Sequence, residues 1–85
     1  SPAALLLDTN VVLDVVLDRA PHARDAVLLL DAVAHGRARG FLAGHAVTTV
    51  HYVVERQRDR ATATVAVQDL LSLLAVVELG TAEFQ

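Results

Sequence analysis

With 85 residues, 54% of them hydrophobic, the chain has room for one small domain and ample material for a core, which excludes a disordered segment. It contains no cysteine, which excludes disulfides, thiolate metal sites and a cysteine nucleophile. Its net charge of −3 has the wrong sign for bulk electrostatic binding of nucleic acid, so such a partner would need a local arginine cluster or bound cations. No apolar stretch approaches the roughly 20 residues of a membrane span and no leader-like segment opens the chain, so we expect a cytoplasmic protein without membrane contact.

The first half of the chain combines one apolar run with two helical patterns. Residues 3–7 read Ala-Ala-Leu-Leu-Leu without polar alternation, which predicts a strand buried on both faces of a parallel sheet. Thr9 and Asn10 are favourable helix N-cap residues, and they predict a first helix over residues 11–17. Apolar residues then recur at helical spacing over residues 21–36, which predicts a second, amphipathic helix.

The second half repeats this order. Residues 40–44 form a short apolar run between glycines and predict a second buried strand. A third helix is expected after it, followed by a polar connection over residues 56–60 and a fourth helix that begins at Thr62 or Thr64. Residues 76–79 predict a third strand.

Buried strands that alternate with helices predict an α/β domain whose parallel strands are joined by right-handed crossovers. We expect a single domain over residues 1–85, with about three strands and helices on both faces of the sheet. Three strands are few for such a sheet. We therefore expect the domain to be incomplete and to continue beyond residue 85.

Asp8 is the first candidate for chemistry, because it stands at the carboxyl end of the first strand. Ligands of open parallel sheets bind beyond the carboxyl ends of the strands. A carboxylate directly after buried aliphatic residues needs a hydrogen-bond partner, an ion pair or a cation. Asn10 lies two residues on and is placed to cap the helix or to orient Asp8. The alternative, that Asp8 only caps the first helix, stands on equal ground at this point.

Residues 5–14, Leu-Leu-Leu-Asp-Thr-Asn-Val-Val-Leu-Asp, resemble the opening of a PIN domain, in which an apolar strand delivers an Asp-Thr-Asn tripeptide into the active site. Residues 19–22, Arg-Ala-Pro-His, resemble a connection of the toxin-like, VapC-like branch of that family. Residues 40–52 resemble the second strand and third helix of the same branch. The resemblance implies a PIN-like three-layer α/β/α fold with a parallel sheet, here truncated to about three strands.

The resemblance also implies an activity, the hydrolysis of RNA phosphodiesters with Mg²⁺ or Mn²⁺ held by carboxylates at the carboxyl edge of the sheet. Asp8 would be a direct metal ligand, Asn10 its orienting neighbour, and Thr9 a contact to a phosphate or to a metal-bound water. Asp14 lies one helical turn beyond Asn10 and is a weaker candidate ligand, with a solvated helix residue as the alternative. The toxin branch further implies a cognate antitoxin protein and self-association into a homodimer or a higher oligomer.

The chain departs from the family pattern in two places. Many PIN domains carry an acidic residue early in the third helix, where this chain has Thr48 and Thr49. The family's later aspartates belong to segments after the third strand. We therefore expect the 85-residue chain by itself to bind metal weakly and to cleave little. Thr48, Thr49, Arg56 and Arg58 are candidate substrate-positioning residues, with plain solvation of a connection as the alternative for the arginines.

Three other classes of function compare differently with the sequence. The missing acidic residues favour a catalytically degenerate module that acts by protein–protein interaction. A Walker-type nucleotide site is excluded, because no glycine-rich loop follows the first strand and the chain has no lysine. The four histidines share no common helical face, so no zinc centre is predicted.

Overall fold

The computed structural model describes residues 3–19 and 21–78. Its elements are β1 (Ala3–Leu7), α1 (Thr9–Val16), α2 (Ala23–Ala34), β2 (Ala38–Ala43), α3 (Gly44–Gln57), α4 (Arg60–Leu73) and β3 (Ala75–Val77). The three strands are parallel and lie in the order β1-β2-β3. The predicted α/β class, the parallel sheet and the order of the elements are thereby confirmed. Residue 79, the last of the predicted third strand, lies outside the described residues.

The described helices cover one face of the sheet. Leu5 pairs with Gly40 and Leu7 with Leu42, and the side of the sheet that carries these pairs faces the core. The core takes buried side chains from every helix and from the first two strands, with Leu42, Val12, Val50 and Val54 enclosed most completely. Leu6 points the other way and is 56% exposed. Among the described residues, the expectations of helices on both faces of the sheet and of a first strand buried on both faces are therefore met on one face only.

The middle strand, β2, contains Gly40, which the sequence predicts to be the first residue of the strand. A Cβ atom on Gly40 would overlap a methyl group of Leu74 and lie 3.0 Å from Cγ2 of Val33. Helix α2 and the end of α4 thus pack directly on the strand backbone at this point. The strand begins two residues earlier than predicted, at Ala38, because Gly40 allows close packing and does not mark a turn.

The connection between the third and fourth helices is much shorter than predicted. Helix α3 continues through Gln57, and α4 begins at Arg60, so only Arg58 and Asp59 lie between them. Asp59 is the N-cap of α4, and its Oδ1 accepts a hydrogen bond of 2.7 Å from the backbone N–H of Thr62. That bond to the charged form lowers the pKa of the Asp59 carboxyl below its usual value. The cap therefore sets the start of α4 at Arg60, two residues before Thr62 and four before Thr64, the two predicted starts.

Among the helices of residues 3–19 and 21–78, none combines the length and the apolar character that crossing a membrane requires.

Candidate functional site

Asp8 occupies the turn between β1 and α1, with an extended backbone that lets its side chain bend back over the first turn of the helix. Its Oδ2 accepts a hydrogen bond of 3.1 Å from the backbone N–H of Asn10. Asp8 is thus the N-cap of α1, as the simpler interpretation of the sequence had it. A carboxylate has two oxygens with several acceptor positions, so a cap bond to one oxygen is compatible with a cation at the other.

A cavity of about 310 Å³ lies beside Asp8 at the carboxyl edge of the sheet. It lies between the ends of β1 and β2, which are neighbouring strands. Its polar lining comes from Asp8, Thr9 and His45, and the rest is apolar. The structure therefore brings together two residues that the sequence predicted for the site, Asp8 and Thr9, and adds a histidine from the start of α3.

A second carboxylate stands at the same edge of the sheet. Glu78 directly follows β3, and a Cβ atom on Gly44 would lie only 2.6 Å from its Oε1. The Glu78 carboxylate therefore rests against Gly44, just past the end of the middle strand, and a side chain at position 44 would displace it. The backbones of Asp8 and Glu78 are separated by two strand spacings, about 10 Å.

Asp14 is paired with an arginine away from the cavity beside Asp8. Its Oδ1 accepts a hydrogen bond of 3.0 Å from Arg19, and its side chain is only 17% exposed. The same guanidinium donates to the backbone carbonyl of Asn10 at 3.4 Å. The Arg19 guanidinium thus links the Asp14 side chain to the first turn of α1.

The four predicted substrate-positioning residues extend along α3. The hydroxyl of Thr49 donates to the backbone carbonyl of His45, one turn back, and Thr48 faces a groove between α3 and α4. Arg56 lies against Tyr52, and Arg58 is the residue at which α3 ends. None of the four lines the cavity beside Asp8, and the helix rises about 18 Å from Gly44 to Arg56.

A family model described as PIN domain matches residues 4–84. The chain belongs to the PIN-domain family. Searches of curated proteins and of solved structures each returned no match. Membership in the family suggests nuclease activity in general, and PIN domains generally use divalent metal ions and often bind RNA and antitoxins.

The residues at the edge of this PIN domain fit a hard cation only in part. Carboxylate oxygens are the ligands that Mg²⁺ and Mn²⁺ prefer, and Mg²⁺ commonly keeps several waters. Over the described part of the chain, no three histidine, aspartate or glutamate side chains converge closely enough to hold a metal ion. Asp8 would therefore hold a cation mainly through one carboxylate, with water in the remaining positions.

Sequence reasoning missed His45 and Glu78 as residues of this edge. Both follow the end of a strand, β2 for His45 and β3 for Glu78, as Asp8 follows β1. The sequence does not mark either residue as one that follows a strand, because His45 lies at the predicted start of a helix and Glu78 lies inside the predicted third strand of residues 76–79.

Proposed function

We propose that this PIN domain belongs to a Mg²⁺- or Mn²⁺-dependent endoribonuclease of the VapC-like toxin branch. The observation that carries the proposal is the placement of Asp8 at the carboxyl end of β1, beside a cavity that Thr9 and His45 also line. In open parallel sheets this edge is where ligands bind. The family match supports nuclease chemistry in general, and the Asp-Thr-Asn tripeptide supports the finer assignment.

Each member of the tripeptide has a role in the proposal. A bound cation would polarise the scissile phosphodiester and activate water. Asp8 would hold the cation through its carboxylate. The backbone N–H of Asn10 holds Oδ2 and so orients the carboxylate. The Thr9 hydroxyl hydrogen-bonds a phosphate oxygen or a metal-bound water.

Substrate contacts extend from this edge along α3. Thr48, Thr49, Arg56 and Arg58 are proposed to position RNA, which a chain of net charge −3 must attract locally. Asp14 is the weaker candidate ligand, because it could contribute to metal binding only if a cation displaced Arg19 from its carboxylate.

The toxin assignment includes a cognate antitoxin, self-association into a homodimer or larger assembly, and a cytoplasmic location. Exposed large apolar side chains on the second and fourth helices support a protein partner; they are Val27, Leu28, Leu29, Val65 and Leu71. Exposed apolar side chains of this size are ones that a protein partner would cover.

Asp8→Asn is the decisive substitution, because asparagine is as good an N-cap as aspartate and removes only the charge. In the natural protein that carries this domain, we expect it to lower Mn²⁺-dependent RNA cleavage by about 100-fold or more, which is several kcal/mol of lost transition-state stabilisation. Cleavage is followed on a labelled RNA with increasing Mn²⁺.

Asp18→Asn is the matched control. Asp18 is an exposed residue with a φ of 51°, a left-handed conformation that asparagine tolerates well. It should leave cleavage and stability unchanged. Asp8→Ala should in addition lose about 1 kcal/mol of stability, since it also removes the cap. Equal cleavage by wild type and Asp8→Asn would reject Asp8 as a ligand.

A second candidate function is a catalytically degenerate PIN module that acts by protein–protein interaction. It is favoured by the lack of three converging metal ligands among the described residues. Absence of Mn²⁺-dependent cleavage in the natural protein, together with a stable complex with an antitoxin, would select this alternative.

A further inference from the structure

A groove of about 500 Å³ between α3 and α4 lies outside the cavity beside Asp8. This volume falls within the about 300–1,000 Å³ that is typical of small-molecule sites. Its lining consists of Val47, Thr48, His51, Tyr52, Glu55 and Val67. We call it the Tyr52 groove, because the ring of Tyr52 stands at its margin and is 60% exposed. An aromatic ring in this position offers a flat apolar surface to a ligand.

Arg56 holds a positive charge beside this ring. Its guanidinium carbon lies 5.7 Å from the centre of the Tyr52 ring, and its Nη1 donates a hydrogen bond of 3.2 Å to the tyrosine hydroxyl. Tyr52 and Arg56 are one helical turn apart, so the pair is fixed by α3 itself. Aromatic rings and arginine planes are the groups on which proteins stack unpaired nucleobases.

Polar groups on one side of the groove are suited to the edge of a base. His51 contacts Thr64 through Nε2 at 3.4 Å and Glu55 through Nδ1 at 3.5 Å. Arg60 also contacts Glu55, at 3.6 Å, so the acidic charge in the groove is matched by a basic one. A ligand that enters thus meets hydrogen-bonding groups without an unbalanced negative charge.

We propose that the Tyr52 groove binds an unpaired nucleobase of single-stranded RNA. The base stacks on Tyr52, and Arg56 contacts the neighbouring phosphate. The inference rests on the proposed ribonuclease function and deepens it by placing a base-binding subsite on α3, away from Asp8. Charge complementarity favours RNA as the occupant, because Arg56 and Arg58 are basic in an acidic chain and neither has an ion pair among the described residues.

The position of the groove suits a strand that also reaches Asp8. Thr48, Tyr52 and Arg56 follow one another at intervals of four residues on one face of α3, and α3 begins at the carboxyl edge of β2. Tyr52 lies about 12 Å along the helix from Gly44. A short extended stretch of RNA spans that distance. The bases of a duplex are stacked and paired, so a duplex would not present one to Tyr52.

Tyr52 is the only tyrosine of the chain, which has no tryptophan, so intrinsic tyrosine fluorescence reports this ring alone. The chain is titrated with labelled ten-nucleotide oligoadenylate and oligouridylate in EDTA, where metal-dependent cleavage is off. Fluorescence anisotropy of the RNA gives the affinity, and quenching of Tyr52 reports stacking. We expect single-stranded RNA to quench Tyr52 and duplex RNA of the same length to bind weakly without quenching.

Substitutions separate stacking from charge. Tyr52→Ala should weaken binding of single-stranded RNA about 10-fold, whereas Tyr52→Phe, which keeps the ring, should bind nearly as wild type. Arg56→Gln should weaken binding and reduce its salt dependence by about one phosphate contact. Arg24→Gln, at an exposed position of α2, is the matched control for charge and should change nothing. Circular-dichroism melting confirms that each variant is folded.

The outcomes distinguish this inference from the proposed function. Unchanged RNA binding by Tyr52→Ala, or equal binding and quenching by duplex RNA, overturns the Tyr52 groove as a base site whether or not the enzyme cleaves. Tyr52-dependent binding without Asp8-dependent cleavage in the natural protein overturns the nuclease and leaves the groove standing.

Discussion

Asp8 combines a structural role with the proposed chemical one. Its carboxylate caps α1 through the N–H of Asn10 and still faces the cavity at the carboxyl edge of the sheet. A capping residue at this position is held in one orientation before any ligand arrives, which reduces the entropy lost on binding a cation. This is why asparagine, which keeps the cap, separates the two roles better than alanine does.

Asp14 has two candidate roles, as a metal ligand and as the ion-pair partner of Arg19, and the structure favours the second. We expect Asp14→Asn to lower the free energy of unfolding by up to about 1 kcal/mol, because it breaks the partly exposed ion pair with Arg19. We expect Mn²⁺ affinity, measured by calorimetry in the natural protein, to stay unchanged, since the carboxylate is turned to Arg19.

Arg19→Gln is the control for that experiment, because it removes the same ion pair and leaves the carboxylate in place. Both variants should lose similar stability. Mn²⁺ binding that is weakened by Asp14→Asn and preserved by Arg19→Gln would instead establish Asp14 as a ligand.

At the scale of a whole element, the start of helix α4 depends on its N-cap, Asp59. The pKa of Asp59 is lowered in the folded state by the hydrogen bond from Thr62, so the cap stabilises the fold above the ordinary pKa of 3.8. That stability is lost as the pH falls through the lowered folded-state pKa. Protonation of Asp59 should therefore loosen the first turn of α4.

We accordingly expect Asp59→Ala to lower the melting temperature near neutral pH, and the difference from wild type to shrink as the pH falls well below 3.8. Asp59→Asn retains a cap that carries no titrating charge, so the contribution of the cap to its own melting temperature should change little with pH. Thermal melts at several pH values provide the measurement. A difference between wild type and Asp59→Ala that stays constant with pH would contradict the cap as the cause.

At the same scale, the sequence predicted which elements form more reliably than where they begin. All seven described elements occur in the predicted order, because apolar runs and helical spacing are local signals. The boundaries at Ala38 and Arg60 differ because one depends on the packing of α2 against Gly40 and the other on the cap by Asp59. Only the second of these had a local signal, an aspartate before a helical stretch.

For the molecule as a whole, stability rests on a core between the helices and one face of a three-stranded sheet. Leu42 lies in the middle strand, and its side chain is fully buried. We expect Leu42→Ala to lower the free energy of unfolding by about 2–5 kcal/mol, because it removes buried methyl groups and leaves a cavity. Small domains have only about 5–15 kcal/mol in total, so this is a large fraction.

Leu28→Ala is the matched control for urea denaturation, since Leu28 is 62% exposed. It should change the stability by less than about 0.5 kcal/mol. Similar losses for the two variants would show that the described core is not the one that stabilises the domain.

The amino-acid sequence by itself determined the α/β class, the parallel sheet and the position of Asp8 at the end of the first strand. Each of these follows from residues that are close together in the chain, in apolar runs, helical periods and the Asp-Thr-Asn tripeptide. The tertiary structure alone decided which sheet face is covered, that His45 lines the cavity of Asp8, that Glu78 leans on Gly44, and that a groove opens beside Tyr52. These features depend on which residues distant in sequence meet in the folded chain, and local patterns do not encode that.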